Sequence, residues 1–249
     1  MILHPYAKIN LGLHVLGKRP DGFHEIQTLF YPVTDFHDTL EITAAKDFEI
    51  EVDNCTWDIQ KDLCAKAFHL MHERYGISGA KIHLQKSIPS GAGLGGGSSD
   101  CAFTLKGLNE LYGLGLDGLT LEKLAGELGS DCAFFIKGTP QWGSGKGEIL
   151  SEAPDFLKDC HIRIQIPEGV SVNTAQAYRG IHLHEHTEPL QQILEHPIEQ
   201  WKDFLHNDFE ESVFAEHPEI AELKERMYSD GAIYASMSGS GAAVFGIFR

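Results

Sequence analysis

Basic residues are scarce in this chain: 20 Lys and Arg stand against 36 Asp and Glu, a formal net charge of −16. Nucleic acids and anionic membrane surfaces require broad positive surface, so neither is expected as a partner. An anionic small molecule must then be caught by local dipoles and a few placed cations. Cysteine is sparse as well. Cys55, Cys64, Cys101, Cys132 and Cys160 form no CxxC pair, and the opening MILHPYAKINLG lacks the basic-then-apolar plan of a signal peptide. A reducing, cytoplasmic compartment is the expectation. No apolar run approaches the roughly 20 residues needed to cross a bilayer, which predicts a soluble protein. The sequence holds no repeat of fixed period and no low-complexity tract, and nothing in it sets an oligomeric state.

What is present suits a packed enzyme-sized chain. With 249 residues, 42% of them hydrophobic, it can bury one large core or two smaller ones, and two lobes are expected. The first 53 residues alternate in the manner of strands (INLGLHVLG, FHEIQTLFYPV, DTLEITA, DFEIEV) and break at Arg19-Pro20-Asp21-Gly22, which reads as an antiparallel hairpin system. Apolar Leu63, Ala67, Leu70 and Met71 recur at helical spacing between Asp62 and Tyr75, with Gly76 as a stop. A strand, AKIHLQKSI, leads into PSGAGLGGGSSD. Ser98 or Ser99 then caps a helix whose stripe is Cys101, Leu105, Leu108 and Leu111. TLEKLAGEL is a further helix. Pro154 and acidic neighbours interrupt the pattern near 152–159, so the domains are placed at 1–153 and 154–249. A strand (HIRIQIP), helices from about Thr174 and between Leu190 and Ser229, and a strand pair around SMSGSGAAVFGIF complete the second domain.

The glycine-rich loop raises the chemical question. Consecutive glycines let backbone N–H groups converge on one concavity, and a helix N-terminus adds about half a positive charge, so the stretch is either a phosphate site or a pliable connection. Gly91, Gly93 and Gly96 satisfy GxGxxG, yet a dinucleotide fold needs a βαβ unit with an acid ending the next strand, and here another helix follows. A Walker A loop fails because Lys146 is followed by Gly147, and protein-kinase HRD and DFG patterns are missing. Elsewhere, Lys8 and Asn10 lie two apart on one strand and share a face. Taken alone, Asp131 in LGSD also fits an N-cap for CAFF, Thr174 an N-cap for its helix, and SGSG a hairpin turn. His182, His184 and His186 alternate, but no further Cys or His spacing supports a zinc site, and no resident metal site is expected.

Taken in order, AKINLGLHVLGKRPDGFHEIQT, PSGAGLGGGSSD, LGSDCAFFIKG, GSGKGE and MSGSGAAVFG resemble the motifs of the GHMP kinases. Within that superfamily they are most similar to the branch acting on 4-diphosphocytidyl-2-C-methyl-D-erythritol. The resemblance implies a two-lobed α+β fold, with an N-terminal antiparallel sheet with helices and a smaller C-terminal α/β-sandwich lobe that is shortened at its end. It implies ATP and Mg2+ as cofactors, and transfer of a phosphoryl group to the substrate's 2-hydroxyl in non-mevalonate isoprenoid synthesis. Homoserine, mevalonate or another small alcohol is the alternative acceptor. Lys8 and Asp131 match the catalytic pair. Pro89, Ser90, Gly91, Ala92, Gly93, Leu94, Gly95, Gly96, Gly97, Ser98 and Ser99 match the ATP-phosphate loop. Asn10, Phe23, His24, Thr174, Tyr178, Gly239, Ser240 and Gly241 match substrate-binding positions, with His24 reading cytosine and the Phe23 and Tyr178 rings flanking it. Phe23 stands where many relatives carry tyrosine, and Ser130 where alanine is common.

Overall fold

The computed structural model describes residues 1–53, 55, 57–183, 186 and 188–249. The chain divides into two units that interleave along the sequence. The first comprises Met1–Ala7, Pro32–Ser90 and Gly95–Gly138; the second comprises Lys8–Tyr31, Gly91–Leu94 and Thr139–Arg249. A single cut at 153/154 cannot represent that interleaving.

Strands β1 (Ile2–Leu3), β2 (Tyr6–Lys18), β3 (His24–His37), β4 (Thr39–Ala44), β5 (Glu49–Val52) and β6 (Ala80–Gln85) precede the glycine-rich loop. The first unit is built on a four-stranded sheet of order β1-β4-β6-β5. Leu40, Ile42, Ala80, Ile82 and Leu84 alternate onto its buried face, each at most 1% exposed, and each fully buried Leu or Ile contributes about 1.5–3 kcal/mol. The sheet is antiparallel except for β5, which runs parallel to β6. The expected run of hairpins therefore ends at β4. Helix α1 (Leu63–Tyr75) intervenes, as a parallel pair requires of its connection. Asp62 caps α1 by accepting the Cys64 N–H at 2.8 Å, and Gly76 ends it in the left-handed conformation, as its spacing foretold.

Helix α2 (Gly96–Leu111) packs on α1, and α3 (Gly118–Leu128) and α4 (Phe134–Lys137) complete the unit. Helix α2 starts before the serines expected to cap it. Its N-cap is Gly95 at φ 70°, with no side-chain cap bond, which places Ser98 and Ser99 inside the first turn. Asp117 caps α3 by accepting the Thr120 N–H at 2.8 Å.

The second unit contains the remaining strands, β7 (Gln141–Ser144), β8 (Ile149–Glu152), β9 (His161–Gln165), β10 (Tyr234–Met237) and β11 (Val244–Phe248). One sheet has the order β2-β3-β7-β8 and the other β10-β11-β9, the latter antiparallel throughout. Helices α5 (Thr174–Gly180), α6 (Leu190–Glu195), α7 (Trp201–Phe204), α8 (Glu210–Glu216) and α9 (Pro218–Ser229) lie between β9 and β10 in sequence. Leu13, Val15 and Ile26 share a core with Phe209, Val213, Ile220, Met227, Met237 and Val244.

Strand β2 ends its sheet but leaves little bare edge. The Lys8 N–H donates to the Leu94 carbonyl at 2.9 Å, Leu13 exchanges backbone bonds with His206 and Asp208, and the Val15 N–H donates to the Asp208 carboxylate. Covering an edge in this way satisfies backbone groups that would otherwise invite pairing. It also brings loop residue Leu94 against the strand that carries Lys8 and Asn10.

Candidate active site

Residues of three separated motifs meet at one backbone carbonyl in the second unit. The Gly93 carbonyl accepts from the Lys8 ammonium at 3.0 Å and from the Ser238 hydroxyl at 2.9 Å, partners 85 and 145 residues away in sequence. Lys8 is 4% exposed; its ammonium also donates to Asn10 Oδ1 at 2.6 Å and lies 5.3 Å from the centre of the Phe30 ring. Asn10 Nδ2 donates to Thr28 Oγ1, which donates to the Gly12 carbonyl. The Asn10 amide is thus fixed at both ends, and its oxygen is turned toward the lysine.

The turn 238–241 is bound to the same loop. The Ala243 N–H donates to the Ala92 carbonyl, and the Ser238 N–H donates to the Ala243 carbonyl. A Cβ on Gly93 would overlap the Ser238 carbonyl, and one on Gly239 would come within 3.2 Å of Gly93, so both glycines serve close backbone approach. Asn207 holds this turn from beneath: Nδ2 donates to the Met237 and Gly239 carbonyls, each at 2.8 Å, and Oδ1 accepts the Phe209 N–H. Asn207 and Thr28 were not singled out from the sequence. Thr28 closes the first quoted motif, but Asn207 has no local signal, because its role depends on contacts about 30 residues away.

The proposed substrate positions fall into smaller groups. Thr174 begins α5 while Asn173 caps it, leaving the Thr174 hydroxyl 2.9 Å from that of Ser240. Gly241 follows in the same turn, its N–H donating to the Ser238 carbonyl. His24 stacks on Tyr178, with ring centroids 4.6 Å apart and planes 14° from parallel. Burial, with Lys18 adding to it, lowers the His24 pKa, so near neutrality its imidazole offers one donor and one acceptor. This pairing revises the expected ring sandwich: His24 takes the Tyr178 face that was to meet a base with Phe23. Phe23 is 57% exposed and lies under the Lys146 ammonium, which is 4.5 Å from its ring centre.

The first unit carries the other expected groups. Pro89 and Ser90 form the entry stem of the loop, and Gly95, Gly96, Gly97, Ser98 and Ser99 its exit into α2. Ser99 is fully buried and its hydroxyl has no protein partner. An uncapped helix start beside an unmatched buried hydroxyl fits an anionic ligand with several oxygens.

Asp131 lies in the turn between α3 and α4, and Ala133, not Asp131, occupies the α4 N-cap. The Ser130 hydroxyl donates to Asp131 Oδ1 at 3.3 Å, so the departure from alanine adds one weak bond to the carboxylate. The neighbouring Cys132 thiol bonds to Cys101 and Ser98, tying this turn to α2. The Cys101 bond lowers the Cys132 pKa, against burial and with Ser98 assisting.

Other polar constellations stand apart from the expected residues. Glu51, Asp53 and His83 form the one group of ligand-like geometry among the described residues, and it includes none of them. Of the alternating histidines, His182 faces Glu211, His186 bonds to Asp208, and His184 lies outside the described residues. A cavity of about 500 Å³ in the second unit is lined by His186, His206, Asp208 and Glu210, again apart from the expected set. No described helix is long and apolar enough to cross a membrane.

The "GHMP kinases N terminal domain" family matches residues 62–139 and "GHMP kinases C terminal" matches 190–249. The 4-diphosphocytidyl-2-C-methyl-D-erythritol kinase of Cytophaga hutchinsonii is 47% identical, over 100% of this chain and 93% of its own length. That of Bacteroides thetaiotaomicron is 45% identical, over 100% and 92%. The chain belongs to the 4-diphosphocytidyl-2-C-methyl-D-erythritol kinase family. A crystal structure of 4-(cytidine 5'-diphospho)-2C-methyl-D-erythritol kinase superposes with a TM-score of 0.84 at 34% identity, covering 99% of this chain and 90% of that one. Mevalonate kinase of Methanococcus jannaschii, at 16% identity and a TM-score of 0.76 over 100% of this chain and 90% of its own, shares the fold. Membership in this kinase family makes the chain a small-molecule kinase of the two-domain GHMP type.

Proposed function

We propose that the chain transfers the γ-phosphoryl group of ATP to the 2-hydroxyl of 4-diphosphocytidyl-2-C-methyl-D-erythritol, a step of non-mevalonate isoprenoid synthesis. The observation that carries this reading is the convergence on the Gly93 carbonyl, where a buried cation, the glycine loop and the third motif meet. In this reading the loop's backbone N–H groups from Gly93 to Ser99, with the α2 terminus, hold the ATP phosphates. Mg2+ bound with ATP would offset charge on the phosphates, and the unmatched Ser99 hydroxyl at the α2 start is the oxygen among the expected residues placed to help hold it.

Each remaining residue has an assigned role. A new bond forms between the substrate's 2-oxygen and the γ-phosphorus as the bond from that phosphorus to the β–γ bridging oxygen breaks, and ADP departs. Asp131 takes the hydroxyl proton, because a tertiary alcohol is far too weak an acid to lose it unaided. Lys8 stabilises charge on the transferring group, and Asn10 fixes the lysine. The neutral His24 imidazole reads the cytosine edge while its stack on Tyr178 holds its plane. Thr174 and Ser240 present paired hydroxyls to the substrate, Gly239 and Gly241 allow close backbone approach, and Phe23 closes over the base from the exposed side.

The test is ADP release with ATP and Mg2+ across the cytidine substrate, homoserine and mevalonate. Turnover with the cytidine substrate alone is expected. His24→Ala should raise the KM for that substrate far more than the KM for ATP. Turnover confined to another alcohol, or equal loss toward both ligands, overturns the assignment.

A further inference from the structure

A buried ionic cluster in the first unit joins the two stems of the glycine loop, and none of the roles assigned above uses it. Lys86 precedes Pro89 by three positions, and its ammonium bonds to both Asp38 and Asp100, the latter at 2.6 Å. Asp38, between β3 and β4, is fully buried. Its Oδ1 accepts the N–H groups of Ser87 at 2.5 Å and Ile88 at 2.8 Å. Asp100 is 2% exposed and follows Ser99 directly in α2. The entry stem is therefore pinned to Asp38, and the exit stem is pinned to Lys86 through Asp100. Gly96 presses on the same cluster: a Cβ there would lie 2.8 Å from Ile88 Cγ2 and 3.3 Å from Lys86 Nζ.

Buried ion clusters add little net stability compared with well-packed apolar groups, so their presence calls for a geometric reason. Here the loop supplies one. Glycines impose almost no conformation of their own, while a phosphate cradle must hold its donors within about 0.5 Å of their places. We propose that Lys86, Asp38 and Asp100 form a clamp that sets the spacing of the loop's two stems and so aims the N–H groups at the α2 start before ATP arrives. The three are positioning residues, since none is assigned a contact with the reacting atoms. The inference rests on the reading of residues 89–99 as the ATP-phosphate loop.

The test compares Lys86→Met, Asp100→Ala and their double variant by steady-state kinetics and by hydrogen exchange of amides 87–99 in ATP-free protein. Each single variant should raise the ATP KM by roughly tenfold or more, leave the KM of the cytidine substrate within about twofold, and speed exchange in the loop. The double variant should do no worse than the poorer single one, because both cut the same link. Multiplicative losses, equal rises in both KM values, or unchanged loop exchange overturn the clamp. Should Lys86→Met fail to fold, Asp100→Ala carries the same readouts, since Lys86 and Asp38 remain paired in it. Absence of turnover in the unaltered protein sinks the assigned activity instead, while the exchange measurement still decides whether the cluster orders the loop.

Discussion

The start of α2, in the first unit, and the hydrogen-bond chain around Lys8, in the second, differ in how completely their polar groups are satisfied. In the second, Lys8, Asn10, Thr28, Ser238 and Asn207 form a chain of hydrogen bonds in which each side chain has a protein partner. In the first, Ser99 Oγ and Asp100 Oδ1 are buried without one, and α2 begins on a glycine that supplies no side-chain cap. A closed network holds a cation in place and loses nothing while it waits. An open one tolerates an unmet bond, worth about 1–3 kcal/mol per group, and a ligand that brings acceptor oxygens can meet the Ser99 hydroxyl and the first N–H groups of α2. The contrast separates the groups that orient from those that receive.

Breaking the receiving side at its proton acceptor should have the largest effect. Asp131→Asn is expected to lower kcat by about 10²-fold or more with little change in the ATP KM, and a fall of only severalfold would make the carboxylate a positioning group. Next comes the contact that closes the orienting side. Gly91 and Gly93 both have positive φ, 75° and 79°, but a Cβ on Gly91 meets nothing within 4 Å whereas one on Gly93 overlaps Ser238. Gly91→Ala should therefore lose about 1–2 kcal/mol of stability from backbone strain. Gly93→Ala should lose roughly 1–3 kcal/mol more from overpacking and should also raise the ATP KM. Equal urea midpoints for the two variants would mean that the third motif does not bear on the loop.

Much of this was legible in the sequence, and the remainder fails for a common reason. Helix α1 was readable because Asp62 and Gly76 bracket an apolar stripe, so cap chemistry and period agree. The start of α2 was misplaced because glycines carry no helix preference and serines resemble caps; only the left-handed Gly95 marks the true start. The pairing of β5 was misread because an alternating strand does not name its neighbour. Lys8, Asp131 and the loop were singled out through motif order, while Asn207, Asp38 and Lys86 were not, because their contacts lie in partners distant in the chain. His24 was singled out as well, but its stack on Tyr178 depends on a fold that brings residues 24 and 178 together.

The smallest expected effect reaches the unmet bond itself. Burial pushes the Asp100 pKa up to about 8, with Lys86 opposing the rise and Asp38 adding to it. Lys86 keeps its proton, since its two carboxylate neighbours outweigh the burial that disfavours its charge. Below about pH 8 Lys86 is then charged and Asp100 neutral. An unfolded aspartate titrates near 3.9, so folding takes up a proton between about pH 4 and pH 8. Because the folded state binds more protons there, the contribution of Asp100 to stability falls as pH rises through that window and is level above it. Asp100→Asn keeps the neutral shape and cannot ionise. Its stability relative to the unaltered protein should therefore climb from pH 4 to pH 8 and stay level above that. Urea midpoints at pH 5, 7 and 9 check this, and a difference that stays constant over the three would place the shared proton elsewhere in the cluster.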